Sequence, residues 1–260
     1  MKNVALITGS YGGLGKCFAE IHANLGNDLV LVGKSQDKLD EQVQELKLKY
    51  PIQIQTIAVD LTHKNAAQTI YDTCKQNNWE IEYIINNAGF GGQGNFVLDR
   101  SLDQDMNMIA VNLETPTKIC KLFLADMIQR KSGKILNISS VASLLPGPLQ
   151  SVYFATKSYI TSFSNSLWRE LKGTGVSVTV LLPSAMHTGF EKTGNLTKTK
   201  LFKHAVQPMK VAQKGYNAMM KSKIQVQAGA PFLWRIGLSM INMLPKKCVL
   251  DYVYNLQKNR

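Results

Sequence analysis

Three residues near the middle of the chain have side chains that can move a proton between them: Ser140, Tyr153 and Lys157. Ser140 closes a short apolar run, 134–139, which reads as a strand. The stretch 141–151 behind it holds Pro146 and Pro148, which continue neither a strand nor a helix. From Ser151 onward Ile160, Phe163, Leu167 and Leu171 fall three and four apart, which predicts a helix. On it Tyr153 and Lys157 lie four apart, on one face and one turn from each other. A phenol with an ordinary pKa of about 10 does not part easily with its proton near neutrality. A neighbouring ammonium is expected to lower that value. Tyr153 would then act as general acid in one direction and general base in the other. Ser140 would donate a hydrogen bond to the same oxygen as charge builds on it.

Tyr-x-x-x-Lys is a common spacing, and the chain has two more, Tyr71 with Lys75 and Tyr254 with Lys258. Only Tyr153 follows a serine thirteen residues earlier; Ala58 and Ile241 stand at the matching places.

The elements that must position this trio alternate between strand and helix. The run 3–8 is a short apolar strand that enters Thr8-Gly9-Ser10-Tyr11-Gly12-Gly13-Leu14-Gly15, then a helix with Phe18, Ile21, His22 and Leu25. Strand, glycine-rich turn and helix is the arrangement that cradles a dinucleotide pyrophosphate, although the spacing here is Thr-Gly-x-x-x-Gly-x-Gly. His22 is expected to be an ordinary helix residue. The second strand, 28–33, ends in Gly33-Lys34-Ser35. A basic residue at this place pairs with the 2′-phosphate of NADP, and an acidic one with the ribose of NAD. Lys34 therefore favours NADP(H), while Asp37 keeps NAD(H) open. A third strand near 53–59 delivers Asp60, an acceptor for the adenine amino group, and a fourth, 82–85, runs into Asn86-Asn87-Ala88-Gly89.

A long helix is expected over 102–129, with Pro116 four residues after Asn112. Proline removes the bond to the carbonyl four residues earlier, which frees the Asn112 carbonyl to hold a relay water. A strand over 176–182, a helix over 209–221 and a last strand over 224–228 follow. Between them the polar, lysine-rich stretch at about 186–207 reads as a lid. The segment 229–260 mixes apolar and basic residues and is expected to cover the pocket or sit at an interface. A peripheral membrane contact through it is the minor alternative.

At 260 residues, with 45% hydrophobic residues, the chain can bury a proper core. Its four cysteines are scattered without metal-ligand spacing, so no metal site is expected and a reducing compartment is. The formal charge of +12 comes with no nucleic-acid recognition motif. The first residues lack the features of a signal peptide, and no apolar run reaches the roughly 18 residues of a spanning helix. A cytoplasmic location is the expectation.

With these motifs in this order, residues 3–228 resemble the short-chain dehydrogenase/reductase family. The resemblance implies an α/β fold: one Rossmann-type doubly wound domain over 1–228, a seven-stranded parallel sheet with helices on both faces, and a C-terminal helical extension over 229–260. It implies a catalytic tetrad of Asn112, Ser140, Tyr153 and Lys157, with Tyr153 and Lys157 also at the nicotinamide ribose. It places Thr8, Gly9, Ser10, Gly13, Leu14, Gly15, Lys34, Asp60, Leu61, Asn87, Ala88, Gly89, Pro183 and Thr188 along the dinucleotide, Asn87 beside the adenosine and Thr188 at the carboxamide. It implies a homodimer or homotetramer. One departure is Pro183-Ser184, where the family has Pro-Gly. The tail past 228 looks like that of ketone, steroid-type and fatty-acyl ketone reductases with a covering helix. The expected activity is NADP(H)-dependent interconversion of a small-molecule ketone or aldehyde and an alcohol. Leu144, Leu145, Leu149, Phe90, Met186 and Phe190 suggest that the substrate is apolar. A 3-oxoacyl thioester or acyl-carrier-protein reductase is the first alternative, and a non-catalytic NADP-binding scaffold the second.

Overall fold

The computed structural model describes residues 1–186, 206–229, 241 and 244–258. Seven strands form one parallel sheet in the order β3-β2-β1-β4-β5-β6-β7. They are β1 (Val4–Thr8), β2 (Leu29–Gly33), β3 (Ile54–Ala58), β4 (Ile81–Asn86), β5 (Gly133–Ile138), β6 (Val176–Pro183) and β7 (Gln225–Ala228). The central strands read as near-continuous apolar runs; β1 and β2 are buried at every position. That is the pattern of a sheet covered on both faces.

One face carries α1 (Gly13–Asn24), α2 (Gln36–Lys47) and α7 (Pro208–Met220). Phe18, Leu39, Leu46, Val211 and Tyr216 from these helices close on Ile7, Leu31 and Leu136 of the sheet. The other face carries α3 (Ala66–Gln76), α5 (Thr115–Gln129) and α6 (Ser151–Glu170). There Ile70, Ile119, Phe123 and Met127 close on Leu6, Ile84 and Val178, with Phe163 and Leu167 at the margin. Strand order reverses between β1 and β4, so their carboxyl ends open a crevice where a doubly wound fold binds its ligand.

The helix expected over 102–129 is broken. α4 (Leu102–Ile109), started by a Ser101–Gln104 capping box, passes into a π-helical turn, Ala110–Glu114, before α5 begins. Pro116 falls in the first turn of α5, where its missing N–H costs little. The proline thus sets the start of a new helix after the π turn, and Asn112 lies inside that turn, which is a geometry common at functional sites. Residues 141–144, expected to be loop, form a 3-10 turn capped by Ser140. The last described helix, α8 (Lys246–Gln257), packs Val249 and Val253 against Ala142 and Phe154, beside Tyr153. Thr188, Phe190 and nearly all of the expected lid lie outside the described residues.

Candidate active site

Thr8 brings the glycine-rich turn to the switch point. Its hydroxyl accepts from the N–H groups of Asn87 and Ala88, both at 3.0 Å. The Asn87 amide answers by donating to the carbonyls of Thr8 and Gly9, each at 3.0 Å. Asn87 is therefore a clamp on the turn, with both amide hydrogens engaged there. Gly9 has φ +61°, and a Cβ on Gly15 would lie 2.3 Å from the Gly9 carbonyl, so both positions need glycine. Ser10 points inward, its hydroxyl donating to Gln42 at 2.9 Å while Gln42 donates back to the Ser10 carbonyl at 2.9 Å. The Ser10 N–H donates to the Val32 carbonyl at 3.2 Å, so its side chain and main chain are both engaged within the protein. Leu14 is buried in the core, and Gly13 opens α1. That helix starts on Gly12 with no side-chain cap and no acidic residue in its first turn. Its uncapped N–H groups and positive dipole end fit a pyrophosphate.

The proton-transfer trio does converge. Ser140 Oγ accepts from the Ala142 N–H at 3.1 Å and hydrogen-bonds the Tyr153 phenol. The Lys157 ammonium lies 5.8 Å from the centre of the Tyr153 ring. It donates to the Ile138 carbonyl at 3.0 Å. Gly89 closes the group: a Cβ there would come within 3.1 Å of Asn112 Oδ1 and 3.3 Å of Lys157 Nζ.

The electrostatics differ from the expectation of a phenol acidified by its lysine. Burial pushes Tyr153 up to about 12, and only the Ser140 hydrogen bond pulls the other way. Burial also lowers Lys157 to about 8. The reason is geometric, because the ammonium points to a backbone carbonyl and the ring face rather than to the phenol oxygen. Tyr153 accordingly holds its proton throughout the ordinary pH range, the form needed to donate it.

Several residues that the sequence did not single out position the trio. Ser139 Oγ donates to the Lys157 carbonyl at 2.8 Å and contacts Thr161 Oγ1 at 2.7 Å, which pins α6 to the end of β5. Deeper down, Asn137 donates to Ser164 at 2.9 Å and accepts from Asn86 at 2.8 Å. The Asn112 side chain is used structurally: its Oδ1 accepts from the Phe90 N–H at 3.0 Å, and its Nδ2 donates to the Phe90 carbonyl at 2.9 Å and to Thr156 at 3.3 Å. Any part it takes in proton relay falls to its main-chain carbonyl.

At the other end of the crevice Lys34 pairs with Asp60 at 2.6 Å. The second Asp60 oxygen accepts from the N–H and hydroxyl of Thr62 at 3.0 and 2.8 Å, so this carboxylate is already engaged on both sides. Leu61 is core, and its carbonyl accepts from Thr115. Tyr11, which the sequence reading passed over, lies across Gly33 and accepts from the N–H groups of Lys34 and Ser35. Asp37 is exposed in the first turn of α2.

The decoys separate cleanly. Tyr71 and Lys75 both bind Asp126, at 3.0 and 3.1 Å, as a surface cluster. Tyr254 and Lys258 sit at the end of α8, where the Lys258 N–H donates to the Tyr254 carbonyl at 2.8 Å. His22 is a core histidine, bonded to Tyr216 and to the Asn3 carbonyl at 2.7 Å each.

Pro183 ends β6, and Ser184 fits there because of Gly229. The Ser184 N–H donates to the Ala228 carbonyl, and a Cβ on Gly229 (φ +90°) would lie 2.3 Å from Ser184 Oγ. The serine hydroxyl thus occupies space that a glycine leaves in the next strand's exit. On the substrate side, buried Gln257 of α8 accepts from Gln150 and, at its main-chain carbonyl, from Gln93. No periodicity in the sequence marked that contact.

The doubly wound sheet, the uncapped helix at its switch point and the Ser-Tyr-Lys group define an NAD(P)-dependent oxidoreductase. The chain belongs to the short chain dehydrogenase family, whose model matches residues 3–199. It is 34% identical to the human very-long-chain 3-oxoacyl-CoA reductase, over 98% of this chain and 80% of that one. It is 37% identical to the macaque protein of the same name, but spans only 63% of that protein's length. A Sphingobium yanoikuyae short-chain dehydrogenase in complex with NADPH superposes with a TM-score of 0.83 at 24% identity, covering 92% of this chain and 93% of that one. A Burkholderia phymatum family member in complex with NAD gives 0.80 at 24%, covering 93% and 94%. At such identities these two structures speak to the fold alone.

Proposed function

We propose that this chain reduces the 3-keto group of an acyl thioester with a long apolar chain, using NADPH. The observation that carries the reading is the Ser140–Tyr153–Lys157 group, half-buried at the serine and tyrosine and buried at the lysine, beside apolar walls. Leu145 and Ile241 pack with Ala142, Phe154 and α8 next to the phenol. The relatives named above supply the thioester, and Lys34 at the end of β2, with no acidic residue at 33–35, supports NADPH.

When bound, the dinucleotide supplies the hydride to the carbonyl carbon. The protein manages the oxygen. Ser140 donates a hydrogen bond to it, and Tyr153 gives up its proton as the alkoxide forms. To stabilise the phenolate left behind, the Lys157 ammonium, one helical turn away, would turn from the Ile138 carbonyl toward the oxygen. We assign reprotonation to the Asn112 carbonyl in the π turn, which would hold the water that leads to solvent.

The test is a panel of 3-oxoacyl-CoA substrates of rising chain length, with a ketosteroid as control, assayed with NADPH and NADH in parallel. Rates should rise with chain length and favour NADPH. Turnover of the steroid alone, or preference for NADH, would overturn the reading. The same proposal includes a homo-oligomer. Phe96, Val97 and Leu98 ahead of α4, and Leu102 and Met106 within it, are exposed large apolar side chains. A monomer mass by light scattering would remove that part.

A further inference from the structure

We infer that Tyr11 selects between the two dinucleotides by donating a hydrogen bond from its phenol to the 2′-phosphate of NADP. The inference rests on the cofactor reading above and gives it a specific atom.

The ring reaches the end of β2 only because residue 33 is glycine. A Cβ on Gly33 would lie 2.3 Å from Tyr11 Cε1 and 3.1 Å from its Cζ. In that notch the phenol oxygen accepts from the Lys34 N–H at 3.0 Å and the Ser35 N–H at 3.2 Å. A phenol oxygen has two acceptor positions and one proton. With both acceptor positions filled by backbone, the proton has to point away from β2. Among the described residues it meets no acceptor. The group is a fixed, outward-aimed donor.

The charges around it suit an anion. Lys38 Nζ stands 5.8 Å from the centre of the Tyr11 ring. Lys34 Nζ is next to the same strand end, held at 2.6 Å by Asp60. Both lysines and the N–H groups of the first turn of α2 attract a phosphate, while Asp60, paired with Lys34, and the exposed Asp37 of that turn oppose one. A ribose with a plain 2′-hydroxyl presents no charge for the lysines and accepts more weakly from the phenol. Left free, the Lys34 and Ser35 N–H groups would be the donors presented at this strand end. By taking them up, Tyr11 makes its own phenol proton the donor presented there.

The test avoids turnover. Isothermal titration with 2′-phospho-ADP-ribose and with ADP-ribose compares wild type, Tyr11→Phe and Gly33→Ala, after thermal melting shows each variant folded. Tyr11→Phe keeps the ring and loses the donor. It should weaken 2′-phospho-ADP-ribose about tenfold, the scale of one hydrogen bond to a charged group, and change ADP-ribose by about twofold or less. Gly33→Ala should push the ring out and give the same selective loss. Equal weakening of both ligands, no change in either, or tighter binding of the phosphorylated one would overturn the inference. Wild type without preference for the 2′-phosphorylated ligand would sink the cofactor reading as well. A wild-type preference that survives Tyr11→Phe would sink only the role of Tyr11.

Discussion

The two ends of the crevice handle charge in opposite ways. At the catalytic end Lys157 is 5% exposed, and among the described residues no carboxylate pairs with it. A backbone carbonyl and the face of a tyrosine ring are its compensation. At the nucleotide rim the Lys34 side chain is 75% exposed and bonded to Asp60. Partial burial works to raise the Asp60 carboxyl, but hydrogen bonds from Lys34 and Thr62 outweigh it and hold the group at about 2. A buried, unpaired ammonium is costly to the fold and marks a site where the charge is used in chemistry. A solvated pair costs little and acts as a salt-sensitive attractor. The comparison therefore predicts large, salt-independent effects at one end and small, salt-dependent effects at the other.

The largest effect belongs to Tyr153→Phe. It removes the phenol proton assigned to the alkoxide, so turnover should fall by roughly 10³-fold, within the usual range for loss of a general acid. Dinucleotide affinity should move by about twofold or less, because the ring and its packing on Phe154 remain. Stopped-flow reduction rates beside fluorescence titration of NADPH would check both. Retained turnover would dissolve the contrast, since the catalytic end would then contribute nothing special.

Next in size is the pH response set by Lys157. Its value falls to about 8 because burial disfavours the charged form. As pH rises through about 8 the ammonium is lost, and with it the support for the phenolate. kcat/KM for reduction, which reports the free enzyme, should decline there. Lys157→Arg, if folded, should move the decline upward, since a guanidinium keeps its charge. Stability should run the other way. Between about 8 and the ordinary 10.5 the unfolded chain binds the proton that the folded one has lost, so stability from this group rises with pH across that window. Parallel profiles of activity and of chemical unfolding would show the divergence.

Asn87→Ala tests the frame that both ends share. It removes two bonds from the amide to the Thr8 and Gly9 carbonyls. We expect about 1–3 kcal/mol of stability lost, the range for buried partners left unsatisfied. NADP and NAD should weaken together, because the turn serves the pyrophosphate and not the 2′ position. Denaturant unfolding and paired titrations would measure both.

Much of this was legible in the residues alone. The apolar runs Val4–Thr8 and Leu29–Gly33 could only be strands buried on both faces, and the glycines after β1 announced a tight turn. The serine ahead of Tyr153 picked out the Tyr-x-x-x-Lys of the three whose phenol bonds a serine hydroxyl. What stayed hidden was direction in space. Spacing put Lys157 a turn from Tyr153 but could not say that its ammonium would turn to the Ile138 carbonyl, so the phenol was expected to be acidified when burial makes it a weaker acid. Asn87 and Ser10 sit where a cofactor residue belongs, yet their side chains fasten the protein to itself. The placement of Tyr11 was invisible because it depends on a missing side chain at Gly33, a relation between a turn and the end of a strand that no local pattern encodes.

The smallest effect, and the one that sharpens the comparison most, is Lys34→Ala. The side chain is solvated, so melting temperature should not change measurably. The variant loses an attractive charge and also leaves Asp60 unneutralised beside the 2′ position, so NADP should weaken while NAD holds. The difference should shrink as salt is raised, because exposed charges are screened over about 8–10 Å at physiological ionic strength. Asp60→Asn should act in the opposite sense on NADP. Measured across a salt series, the Lys34 and Asp60 variants should converge on wild type at high salt, whereas Tyr153→Phe should keep its full defect. If the rim variants kept their effects in high salt, the rim would be as closed to solvent as the catalytic end, and the division drawn between the two would fail.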